Sequence, residues 1–198
     1  SYSGRNMMAL PHLKPSLMFS GDERERVRKS EEGFLKTTGT KIVIDELGVE
    51  YVNVAEEVLA KRAVDKGTVR RLVERKYPPV LREELYSFLP EKLYALRTGT
   101  FISLAKFKVF FTMCTKNMFG LIPEYVGYGS RHTYHGKADI NLSQNIVDIN
   151  KIYRSIFNVV GILDGVNSLS YNAGEETGKH KTIFGYRYDV LENKGLVY

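Results

Sequence analysis

Apolar residues recur three or four positions apart through INLSQNIVDINKIYRSIF, where Ile146, Ile149, Ile152, Tyr153 and Ile156 fall on one helical face. That period predicts an amphipathic helix. Short, largely apolar runs mark GTFISLAKF, with Phe101, Ile102 and Leu104, and NVVGILDG, and both predict short buried strands. Between them, VFFTMCTKNMFG reads as a helix stopped at Gly120. Upstream the pattern divides. KIVIDEL fits a short helix ending at Gly48, with Ile42, Val43 and Leu47 as its apolar side, yet its β-branched residues also permit a strand. EYVNV reads as a buried strand, and GTVRRLVERKY, which alternates in part, as another strand closed by Pro78 and Pro79. PVLREELYSFLPEKLYAL reads as a helix, with Val80, Leu81, Leu85 and Leu89 near helical spacing and a break at Pro90.

Strand, helix, loop, helix, strand is the order of an α/β unit, so the expected fold is a mixed, mainly parallel sheet with helices on both faces. Residues 1–20 carry no clear period and read as an extended arm or loop. Residues 21–198 read as a single α/β domain, open to being incomplete, and its first stretch, GDERERVRKSEEGFLKTTG, is charged enough to be exposed.

Of the 198 residues, 43% are hydrophobic and 26% charged, the balance of an ordinary globular protein. The net charge is +6, but much of the basic excess lies in RERVRK and RRLVERK with acids beside it. Such runs are solvated faces more often than nucleic-acid footprints, so nucleic acid is disfavoured as a partner and a small anionic ligand is retained. Cys114 is the single cysteine. A disulfide within the chain, a four-cysteine zinc site and an iron–sulfur cluster ligated by this chain alone are therefore excluded, and a reducing cytoplasm is the expected setting. Cys114 itself reads as a small buried side chain. No stretch offers the roughly 18 to 20 uncharged apolar residues of a membrane span. A homo-oligomer is compatible with everything above.

Three lysines, Lys106, Lys108 and Lys116, interrupt the mostly apolar run from Ser103 to Pro123. A buried unpaired ammonium is costly, so each side chain needs water, a carboxylate or a bound anion. Lys106 and Lys108 follow one predicted strand, Asp164 follows another, and ligands of parallel sheets gather beyond strand ends. Together with Asn117, whose amide can donate, the lysines form a candidate ligand-binding set. Lys116 also fits the plainer role of a cation near a helix C-terminus. His132 and His135, in RHTYH, could hold a metal if Asp139, Asp148 or Asp164 completed the site, against the commoner case of exposed or hydrogen-bonding loop histidines. His135 and Asp164 are also the acid/base candidates. Asp164 in ILDG fits equally a carboxylate paired at a strand end or a tight turn. Neither GYGSR nor NAGEETGKHK matches a phosphate-binding loop, and Ser103, Ser130 and Ser143 lack a nucleophile-elbow context.

The motifs AKFK, TKNMFGLIP, YHG, VDINKIYR and VVGILDGV, in this order from Phe101 to Val166, resemble the domain of unknown function 362 family, whose members are often associated with iron–sulfur centres. The resemblance implies an α/β fold and, as an alternative to ligand binding, an accessory protein docking on an iron–sulfur or other redox partner. Family members usually carry a histidine where this chain has Phe110, and a proline within the segment that is YNAGEETGKHK here. Their Lys-Pro-Asn start and Gly-x-Asp continuation are also missing, so the chain looks like the middle of a longer domain.

Overall fold

The structure, a computed structural model, describes residues 21–108, 113–123, 131–135, 141–171 and 188–191, some of them, including Lys106, Lys108 and His132, by their backbone alone. The chain opens with helix α1, Gly21–Thr37, whose charged faces are laced by pairs one turn apart such as Lys36–Glu32. Helix α2, Thr40–Leu47, ends at Gly48, which takes the left-handed conformation (φ 61°) that glycine tolerates at a helix C-terminus. KIVIDEL is therefore helical, but Ile42, Val43 and Leu47 are exposed.

EYVNV is not a strand. Its Asn53 caps helix α3, Val54–Leu59, by accepting a hydrogen bond from the Glu56 amide, and a cap placed there ends the extended run. GTVRRLVERKY is not a strand either. Helix α4, Lys66–Glu74, starts at Asp65, whose Oδ1 accepts from the Thr68 amide (2.8 Å), and it buries Val69 and Val73 one turn apart. The stretch expected as one helix from Val80 is a 3₁₀ turn, Glu83–Ser87, and a short helix α5, Glu91–Ala95, separated at Pro90. Its Leu85 and Leu89 are buried, whereas Leu81 is exposed.

Strand β1, Thr100–Lys108, is followed by helix α6, Met113–Asn117, and a 3₁₀ turn, Met118–Leu121. Helix α7, Leu142–Ile156, leads into strand β2, Asn158–Tyr171, and β3 is Tyr188–Leu191. The sheet order is β1-β2-β3, with β1 parallel to β2 and β3 antiparallel to it, which makes the fold a mixed, mainly parallel α/β arrangement. Phe101 pairs with Val159 and Leu104 with Ile162, so the two apolar runs are neighbours in one sheet. No helix among the described residues is long and apolar enough to cross a membrane.

The core lies between α7, α4, the 3₁₀ turns and one face of the sheet. Ile149, Ile152 and Tyr153 on α7 meet Val69, Val73, Leu85, Met118 and Ile122 there. Phe101 of β1 packs its ring against Tyr153 and Phe157, with centroids 5.1 and 5.5 Å apart. The other face of the sheet differs from expectation: among the described residues no helix covers Ile102, Leu104, Val160 and Ile162, and all four are exposed.

Candidate functional site

β2 is longer than its apolar run suggests. It runs on through Asp164 and Gly165 to Tyr171, so Asp-Gly does not close a tight turn at the end of the strand. The parallel register runs evenly from Thr100↔Asn158 to Lys106↔Asp164. It then breaks: the next pair is Lys108↔Leu169, two steps along β1 against five along β2. Such an irregularity ends the regular ladder and redirects the chain locally, as bulges beside functional sites do. It falls where Lys106 and Asp164 occupy neighbouring strands, spaced about 4.8 Å apart.

Helix α6 is fixed against this region by four side chains. Ser103, buried on β1, donates from its Oγ to the Cys114 carbonyl at 2.9 Å. Asn117 returns the link, its Nδ2 donating to Ser103 Oγ at 3.2 Å and to the Leu104 carbonyl at 3.1 Å. Cys114 Sγ donates to the Ile162 carbonyl on β2 at 3.3 Å. From α7, Asn150 Nδ2 donates to the Thr115 carbonyl at 2.9 Å. Five residues of helix cannot hold themselves in water, so these tertiary bonds define the position of α6 and of the half-buried Lys116 on it.

The structure thus brings Lys106, Lys108 and Asp164 to one stretch of sheet by backbone register, and α6 with Lys116 and Asn117 beside it. Both amide hydrogens of Asn117 have acceptors on β1, so this residue is a strut between helix and strand. The side chains of Lys106, Lys108 and His132, and all of Asp139 and Phe110, lie outside the described residues. Cys114 is half-buried rather than enclosed, because its thiol reaches β2 from the rim of α6.

His135 sits edge-on to Phe119, centroids 5.2 Å apart, and its carbonyl accepts from the Asn141 amide. Asp148 serves the core instead of a metal. It is buried on α7, with Oδ1 accepting from Lys151 Nζ (2.8 Å) and Gln144 Nε2 (2.9 Å), and Oδ2 from the Leu81 amide (2.8 Å). Among the described residues no three His, Cys, Asp or Glu side chains form a group able to hold a metal ion.

Ser103 and Asn150 are the positioning residues that pattern reading passes over. In the sequence Ser103 invites only a nucleophile reading, and Asn150 is one polar residue on an amphipathic helix. Their side-chain pairings span 11 and 35 residues, respectively, and leave no local signal.

Among known families, the model described as a domain of unknown function, DUF362, matches residues 18–184. No curated protein and no solved structure matches the chain.

Proposed function

The chain belongs to the DUF362 family, and from that membership together with the geometry of β1, β2 and α6 we propose that it binds a small anionic ligand where the parallel ladder breaks. Lys106, Lys108 and Lys116 supply the cationic donors. Asp164 is the carboxylate beside them, able to orient a lysine or to exchange a proton with the ligand, and His135 is a second acid/base candidate. Asn117 contributes by fixing α6.

The observation that carries this reading is the pairing of Lys106 with Asp164 at the register shift. A charged pair at a break in a ladder is where a parallel sheet leaves backbone groups and a crevice open to a ligand. The ligand's anionic group is a phosphate or a carboxylate, the two that lysine ammonium groups hold by charge-assisted hydrogen bonds.

Inorganic phosphate and citrate test it, each titrated against chloride at equal ionic strength while urea midpoints are followed. Selective binding raises stability with anion concentration as mass action requires. Lys106→Met and Lys116→Met are each expected to weaken that dependence by about tenfold while leaving stability in chloride near the parent value. An identical response in parent and variants, or no response to either anion, would refute the site.

A further inference from the structure

The strap from Lys76 to Leu81 runs antiparallel along α7, and three bonds fix its course. Lys76 Nζ donates to the Ser155 carbonyl at 3.2 Å, Lys151 Nζ to the Pro79 carbonyl at 3.4 Å, and the Leu81 amide to Asp148 Oδ2 at 2.8 Å. Strap and helix thereby present one surface whose two ends differ in chemistry. Val147, Lys151 and Arg154 stand four and three residues apart, so they follow one stripe of α7 about 10 Å long. At the start of that stripe Val147 is 49% exposed, and Leu81, tied to Asp148 beside it, is 67% exposed. At its end lie Arg154 and Lys76, with Arg75 next to Lys76 in the chain, and all three are exposed.

The basic end is uncompensated, unlike its cationic neighbours. Arg70 is held by Glu74 at 2.7 Å and Glu83 at 3.1 Å, Lys66 by Glu83 at 2.9 Å, and Lys151 by Asp148 at 2.8 Å. Arg71 donates to Thr68 Oγ1, and its charge acts on Asp65. Arg75, Lys76 and Arg154 engage no carboxylate among the described residues. Lys76 and Arg154 are drawn to the C-terminal end of α7, whose carbonyls carry partial negative charge, so two of the three cations are held in place before any partner arrives. A nucleic acid matches only half of this surface. Its charged backbone gains nothing from Leu81 and Val147, and Tyr77 packs on the core instead of offering bases a stacking face. A protein segment matches both halves, because it can carry carboxylates and an apolar side chain at a fixed separation.

We propose that this surface docks an acidic segment of a partner protein, its carboxylates on Arg75, Lys76 and Arg154 and one apolar side chain on Leu81 and Val147, about 10 Å away. The inference is independent of the anion site, because it uses other elements and other cations.

The test is an NMR titration of the full chain with a blocked peptide in which two glycines separate a leucine from three glutamates, a spacing of about 10 Å when extended. Saturable amide shifts centred on Val147, Arg154 and Lys76 are expected, with a Kd on the order of 1 mM that weakens as salt screens the exposed charges. Arg75→Glu and Arg154→Glu should each weaken binding by about tenfold, and Leu81→Ser by about threefold, while all three leave the phosphate response of the anion site unchanged. Lack of saturation in the parent protein, shifts centred elsewhere, equal binding by a peptide with serine in place of its leucine, undiminished binding in both charge variants, or tighter binding of a short oligothymidylate at the same residues would each overturn the proposal. The parent titration decides even if one variant fails to fold.

Discussion

A Cβ added at Gly161 would lie 3.0 Å from Cys114 Cβ and 3.3 Å from Cys114 Sγ. The nearer atom is close to the backbone of α6, so it cannot swing aside as a long side chain would. Gly161 is therefore the residue that lets α6 lie on β2 and lets the Cys114 thiol reach the Ile162 carbonyl. Gly161→Ala is expected to cost about 1–3 kcal/mol by overpacking, and to weaken binding at the proposed anion site because Lys116 moves with the helix. Urea denaturation measures the first effect. In a Cys114→Gly background the added methyl has room, so the cost of Gly161→Ala should shrink there. An undiminished cost would place the strain somewhere other than the α6–β2 contact.

Elements are joined by polar staples as much as by the core. Glu57, buried on α3, accepts a two-pronged bond from Arg62, Nε to Oε2 at 2.8 Å and Nη2 to Oε1 at 2.9 Å. The Arg62 carbonyl in turn accepts from the Glu91 amide, and Val64 donates to the Leu89 carbonyl, tying α3 to the entry of α5. The bond from Arg62 holds the Glu57 carboxyl below its ordinary value, outweighing the opposing effect of burial. Its contribution is thus complete above the unfolded value near 4.3 and is lost as pH falls through the lower folded one. Stability measured from neutral pH downward should fall less steeply in Glu57→Gln than in the parent below about pH 4, since glutamine does not titrate. Parallel curves would remove Glu57 from the acid response. At this scale the sequence is legible where one signal dominates, the helical period in α7 and the apolar run in β1. It misled at α4, where Val69, Arg70, Arg71, Leu72 and Val73 suit partial alternation, although Asp65 three residues before Thr68 was the local cue for a helix start.

Across the whole molecule, the α/β order could be read because strands and helices of different period alternate, but the candidate site could not be assembled from pattern alone. The Lys106–Asp164 pair depends on a register set 58 residues apart, and the Leu81–Asp148 link on one spanning 67. Nor does periodicity tell which side of a largely apolar strand is covered. On β1, Phe101 meets the α7 aromatic cluster while Leu104 is 61% exposed, in a row with Ile102, Val160 and Ile162. Parallel sheets usually bury both faces, so this row is the feature of the fold that departs furthest from the norm. The two faces give opposite expectations for substitutions on one strand. Phe101→Ala opens the core against Tyr153 and Phe157 and should cost about 3 kcal/mol. Leu104→Ser removes a side chain with little to pack on and should stay within about 0.5 kcal/mol, while lowering the binding of a hydrophobic dye. Paired urea titrations of the isolated chain decide the matter. A loss in Leu104→Ser as large as that in Phe101→Ala would mean that the outer face of the sheet is covered in solution and that its exposure here is not the state that folds.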